Sequence, residues 1–295
     1  MRSSPSPAAD HRGRVWGPVE GSHLEPLKPE RKNLLSRVAT AAVGLPIIGA
    51  ILFWRDVRGF TALCLIAAML SLVEYTGLTM RGRPWGERAG VVILGCGLFL
   101  GLALRPTLGF LWILAALLAT GLLILPRATD VSAACARLAF AGFGIFYVGG
   151  LLAALPVLHA QMGPAWVALA IAVTFGNDTG AYFAGRAFGR HKLAPAISPG
   201  KTVEGAIGGL VANVLVVLVA RALFVHDLTI RDCVMIGVPA AIVGPAGDFI
   251  ESLLKRAAGA KDSGRLLPGH GGILDRIDAL LFVGAYFCLY ATQLR

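Results

Sequence analysis

Charge is what this sequence has least of. Only 15% of its 295 residues are Asp, Glu, Lys or Arg, against about 25% in a soluble domain. Apolar residues supply 56% and the mean hydropathy is +0.71. A water-soluble fold cannot bury that much apolar surface, which excludes a soluble enzyme and a disordered regulator. Paired cysteines are missing as well. Cys64, Cys96, Cys135, Cys233 and Cys288 are scattered without a CxxC, so neither a disulfide framework nor a zinc site is supported. No strand-like alternation runs through the apolar stretches, which excludes a membrane β-barrel.

What is there is a succession of apolar runs with short polar breaks. At about 20 residues per spanning helix, they predict spans near 38–54, 59–78, 89–104, 108–125, 138–158, 164–185, 203–224, 233–254 and 277–293. Each should be an α-helix, because a lone strand cannot satisfy its backbone in lipid. The expected fold is an all-α polytopic transmembrane helix bundle of about nine spans. Residues 1–33, rich in Ser, Pro and charge, read as a disordered cytoplasmic tail. Residues 34–160 read as transmembrane anchoring helices, and 161–295 as a catalytic region with a cytoplasm-facing polar site.

The net charge of +10 does not point to nucleic acid, because the charges lie in loops. Counted over the tail and every second loop, twenty-one Lys and Arg fall on one side. Arg55, Arg58, Arg105, Arg231 and Arg295 fall on the other, with Arg221 inside a span. The positive-inside rule then sets the N-terminus in the cytoplasm.

Chemistry is concentrated in the second half. In the first, Glu74 is the one acid within an apolar run; intramembrane acids are candidate site residues by default, and a structural hydrogen-bonding role is as good a reading. Asn177-Asp178-Thr179 lies inside the sixth run, where three polar side chains cost several kcal/mol unless paired or facing a wet cavity; helix packing is the bland alternative. Ser198-Pro199-Gly200-Lys201-Thr202 precedes the seventh run. It is not a P-loop, since Pro195 stands where the upstream glycine belongs. Ser198, Lys201 and Thr202 nevertheless place hydroxyls and a cation beside a helix start that favours an anion.

The densest cluster runs from Gly247 to Asp278, with five acids and five bases within 32 residues. Asp248, Glu251, Ser252, Lys255 and Arg256 share one helical face. A loop with Lys261, Asp262 and Arg265 follows, then the flexible Pro268-Gly269-His270-Gly271-Gly272, then Asp275 and Asp278 one turn apart. Carboxylates that can hold a divalent cation, beside cations that can neutralise phosphate, suit a nucleotide. An anion transporter would need polar groups through the whole bilayer depth, and the other halves of these spans are almost wholly apolar.

These residues resemble the signature of the phosphatidate cytidylyltransferase, or CDP-diacylglycerol synthase, family. Ser252, Lys255-Arg256, Lys261-Asp262, Gly264, Pro268-x-His270-Gly271-Gly272 and Asp275-Arg276-x-Asp278 fill every fixed position, and the Asn177 and Ser198 stretches match in order. The resemblance is strong over about residues 165–290. It implies a bacterial inner-membrane enzyme, its active site toward the cytoplasm, that converts CTP and phosphatidate to CDP-diacylglycerol and pyrophosphate. It implies a Mg²⁺ held by Asp248 and Asp275, with a second cation able to sit in the same centre. Asp262 and Asp278 would support that centre, and Lys255, Arg256, Lys261 and Lys201 would bind phosphates. Asn177, Asp178, Ser198, Thr202, Gly271, Gly272 and Arg276 complete the expected substrate-binding set, while His270 would bind phosphate or exchange protons. Membrane lipid is an expected partner and nucleic acid is not. The oligomeric state is open, a homodimer being the candidate.

Overall fold

A computed structural model describes residues 44, 46–54, 56–264, 266 and 271–295. The tail over 1–33, residues 38–43 and 45 of the first expected span and His270 lie outside the described residues.

Among the described residues, nine α-helices follow a short helical run at 46–52: α1 (Val57–Thr79), α2 (Trp85–Leu104), α3 (Gly109–Ile124), α4 (Val131–Gly144), α5 (Ala154–Met162), α6 (Pro164–Phe188), α7 (Val203–Leu223), α8 (Ile230–Ala257) and α9 (Leu274–Leu289). Local chemistry sets the starts. Asp56 accepts from the N–H of Arg58 at 2.9 Å, and Asp130 from that of Ser132 at 3.0 Å. Thr229 and Asp232 form a reciprocal capping box on α8, which satisfies donors that lipid could not. Two stretches wind as π-helix, Ile145–Gly150 and Tyr290–Leu294, so α4 runs on toward α5 and α9 runs on to residue 294.

Among the described residues, seven stretches are long and apolar enough to cross a membrane: Val57–Thr79, Trp85–Leu104, Pro106–Ile124, Val131–Met162, Val203–Leu223, Ile230–Ala257 and Leu274–Leu294. They coincide with seven of the expected spans. The sixth expected span is α6, of 25 residues, whose Asn177 and Asp178 dilute its apolar character.

The core joins both halves of the chain: Leu72, Tyr75, Phe99, Leu152, Leu169, Val173, Ile236, Leu281 and Phe287 pack in one buried cluster. A large share of the remaining apolar surface faces outward, as on α3 with Phe110, Leu118 and Leu122, the arrangement lipid requires. The helix α6 lies along α7 with small residues in contact. A Cβ on Gly209 would fall 3.0 Å from the backbone oxygen of Asn177, and one on Gly208 would fall 2.9 Å from that of Gly180. In the first half, Arg137 of α4 pairs with the fully buried Glu87 of α2 at 3.3 Å.

One local element departs from the all-helical expectation. Lys192–Ala194 (β1) and Ser198–Thr202 (β2) form an antiparallel hairpin, Lys192 opposite Thr202 and Ala194 opposite Ser198. The stretch expected merely to precede a helix is therefore a strand that runs into α7.

Candidate active site

The polar residues converge at one end of the bundle, where α1, α6 and α8 finish and α7 and α9 begin. Gly247 brings α8 against α9: a Cβ there would lie 2.5 Å from the carbonyl oxygen of Asp278. That approach turns the Asp248–Glu251–Ser252–Lys255 face of α8 toward the first turns of α9. The Lys255 ammonium donates to Oε2 of Glu251 at 2.6 Å and to Oδ1 of Asp275 at 2.7 Å. The other oxygen of Asp275 accepts the N–H and O–H of Ser263, each at 2.9 Å, and the N–H of Gly272 at 2.8 Å. Gly271 makes this turn at φ +79, where an added Cβ would also sit 2.8 Å from Asp275 Oδ2; only glycine adopts that conformation without strain.

A second arm comes from the hairpin. At the end of β2, Lys201 reaches Oδ2 of Asp248 at 2.5 Å and lies 4.4 Å from the centre of the Phe249 ring. Oδ1 of Asp248 accepts from Ser252 at 3.1 Å. Thr202 caps α7 by accepting from Gly205 N–H at 3.1 Å. Glu204 ties back the hairpin's base, accepting from the backbone N–H groups of Arg190 at 3.1 Å and His191 at 3.2 Å and sitting 2.6 Å from the His191 ring. Between this arm and α6 opens a cavity of about 380 Å³, lined among others by Asn177, Asp178, Tyr182, Arg186, Lys201 and Thr202.

The structure thus brings together Asp178, Lys201, Asp248, Lys255, Gly272 and Asp275 of the expected set, with Asp278 half-buried beside them and accepting from Ala279 N–H at 2.8 Å. Ser198 is half-buried within β2. Asn177 has a packing role as well as a cavity one, its side chain pressing on Gly209. Arg256, Lys261, Asp262 and Arg276 are exposed at the rim. The expected set omitted four residues that bond into the site, Glu74, Glu251, Ser252 and Ser263. Glu251 carried a legible signal, its place on the Asp248 face. Ser263 carried none beyond sitting beside Asp262.

The charge balance of this end is distinctive. Glu74, Asp178, Asp248, Glu251, Asp275 and Asp278 stand against the ammonium groups of Lys201 and Lys255, with Arg186 at the edge of the cavity. Glu251 is fully buried: Oε2 takes the Lys255 ammonium, Oε1 meets no N–H or hydroxyl donor, and the carboxyl group faces that of Asp275, a crowding of acids that burial makes costly. Among the described residues no three His, Cys, Asp or Glu side chains form a ready cage for a metal. A hard divalent cation fits this donor set nonetheless. All of its candidate ligands are oxygen, one buried oxygen meets no N–H or hydroxyl donor, and Mg²⁺ is commonly held by one or two carboxylates, with substrate phosphates and water filling its shell.

Residues 35–294 match the sequence model of the cytidylyltransferase family. The chain belongs to that family, a class of nucleotidyltransferases. It is similar to proteins named phosphatidate cytidylyltransferase: 36% identical to that of Brucella suis biovar 1 (strain 1330) over 271 residues, 88% of this chain and 94% of that one. It is 48% identical to the Staphylococcus haemolyticus (strain JCSC1435) protein over 118 residues, 40% of this chain and 45% of the relative. Against the Staphylococcus saprophyticus (strain ATCC 15305) protein the figures are 40% over 154 residues, 52% of this chain and 56% of the relative. The chain therefore spans about half the length of these staphylococcal relatives and nearly all of the Brucella one.

Proposed function

We propose that the protein transfers the cytidylyl group of CTP to phosphatidate, giving CDP-diacylglycerol and pyrophosphate. The observation that carries this reading is the meeting of two ammonium–carboxylate pairs, Lys201–Asp248 and Lys255–Asp275, at one end of a lipid-embedded bundle. Phosphoryl chemistry between two polyanions needs little covalent help and much charge neutralisation and alignment. An oxygen of the lipid phosphate attacks the α-phosphorus of CTP; the bond from that phosphorus to the bridging oxygen breaks, and pyrophosphate leaves. The lipid phosphate is already ionised at neutral pH, so no general base is required. Lys201 and Lys255 bind phosphate oxygens. Ser198 and Thr202 offer hydroxyl donors at the start of α7, and Arg256, Lys261 and Arg276 collect the triphosphate at the rim.

Asp248 and Asp275 would hold Mg²⁺, with Oε1 of Glu251 beside them; the ion would supply charge neutralisation at the phosphates. The cavity between the hairpin and α6 joins a cationic edge at Arg186 and Lys201 to apolar walls. That combination suits an amphiphile whose headgroup must meet a water-borne nucleotide. The bias of Lys and Arg toward this end supports a cytoplasmic active site in a bacterial inner membrane.

The test is direct. Detergent-purified protein is incubated with Mg²⁺, CTP and phosphatidate, and both pyrophosphate and CDP-diacylglycerol are measured. Equimolar formation of the two is expected. Turnover only with another nucleotide or another lipid would overturn the substrate assignment.

A further inference from the structure

Glu74 belongs to α1, in the half of the chain that otherwise serves as anchor, yet its carboxylate lies inside the acidic centre. Its Oε1 accepts the backbone N–H of Ile273 at 3.0 Å, and its Oε2 accepts that of Leu274 at 2.9 Å and the hydroxyl of Ser263 at 3.0 Å. The helix α9 has no side-chain cap of its own at Ile273. A residue about 200 positions away in sequence therefore satisfies donors that α9 leaves open, and it does so with a negative charge where the helix dipole favours one. The fit is close on both sides. A Cβ on Gly264 would fall 2.5 Å from Oε1, and one on Gly272 would collide with Oε2 and with the Ser263 hydroxyl. The single Ser263 hydroxyl proton is shared between Glu74 Oε2 and Asp275 Oδ2, the N–H of Gly272 also reaches Asp275 Oδ2, and Asp275 in turn holds Lys255.

We infer that Glu74 is a positioning residue for the reaction: it fixes the turn at residues 271–274 and, through Ser263, the place of Asp275 and Lys255. The inference rests on the function proposed above. Glu74 bonds to Ser263, Ile273 and Leu274 and reaches Asp275 through the shared Ser263 hydroxyl, so its effect on turnover passes through the bonds it makes to the loop. Glu74→Gln keeps the shape but puts an amide N–H₂ where one of two acceptors stood, leaving at least one backbone donor unmatched.

The experiment measures kcat, KM for CTP and residue-level hydrogen exchange for the wild type, Glu74→Gln, Ser263→Ala and the variant that combines the two. The expected result for Glu74→Gln has two parts. Exchange quickens at residues 263 and 272–274 but not along α1, and kcat falls by about tenfold to a hundredfold while KM for CTP moves less than about threefold. The combined variant should lose less than the product of the two single losses, since both act on one network. Unchanged exchange at 272–274, unchanged kcat, or a loss spread equally over α1 would overturn the inference. Should Glu74→Gln not accumulate, Ser263→Ala decides alone, because it cuts the link to Asp275 and leaves both backbone bonds of Glu74 in place; wild-type kcat in it overturns the proposal. A wild-type protein that transfers no cytidylyl group would sink the functional reading, whereas the exchange measurement reads Glu74's bonds whatever the substrate.

Discussion

Lys201 and Asp248 meet at 2.5 Å across the gap between the end of β2 and the interior of α8. The two side chains are 30% and 32% exposed, so solvent screens the pair, and its contribution to stability should be under about 1 kcal/mol. Under the function proposed above its value is positional: a cation and a carboxylate would be held ready to exchange partners with an incoming phosphate. Lys201→Met should therefore leave the yield and thermal midpoint of folded protein nearly unchanged while kcat/KM falls by about a hundredfold. Loss of fold without loss of specific activity would contradict this.

Asp275→Asn tests the opposite kind of group. This carboxylate organises Lys255, Ser263 and Gly272 and is the proposed metal ligand. Turnover should drop by at least about a hundredfold with folded protein retained on gel filtration. Chelation should silence the wild type and added Mg²⁺ should restore it, whereas no concentration of Mg²⁺ should rescue the Asn variant. Near-normal activity in Asp275→Asn would remove the residue from the mechanism.

Packing of α6 on α7 gives a prediction independent of chemistry. Gly209→Ala would push a methyl to 2.5 Å from Oδ1 and 3.0 Å from the backbone oxygen of Asn177, at a cost of about 1–3 kcal/mol. Gly97→Ala, on α2 with nothing within 4 Å of the new carbon, should be neutral or slightly stabilising through helix propensity. Thermal midpoints of the two variants in one detergent compare them; equal midpoints would refute the close-packing argument.

The helices were legible because each signal is local. An apolar run of spanning length needs no partner to be recognised, so the expected spans 203–224 and 277–293 lie within a few residues of α7 and of α9 with its π-helical end. The Asp248–Lys255 face was legible for the same reason, as helical spacing alone sets it. The hairpin at Ser198–Thr202 was not, since a five-residue strand containing proline and glycine lacks any alternation. The role of Glu74 was beyond reach for a stronger reason. Its sequence context says only that an acid lies in an apolar run, and the donors that explain it belong to backbone nearly 200 residues on. Lys261 and Arg256 match the family signature, yet the fold leaves them exposed at the rim, a distinction only tertiary structure draws.

Two prolines, Pro239 and Pro245, interrupt α8 before Asp248. A proline offers no N–H to the carbonyl four residues earlier, which frees the oxygen of Met235, and the hydroxyl of Tyr286 on α9 donates to that very oxygen. No water is at hand in hydrocarbon to replace a broken bond there. The Tyr286 hydroxyl thus ties α9 to α8 below the acidic centre, so the prolines that weaken the backbone ladder of α8 also give it a cross-link to the helix that carries Asp275.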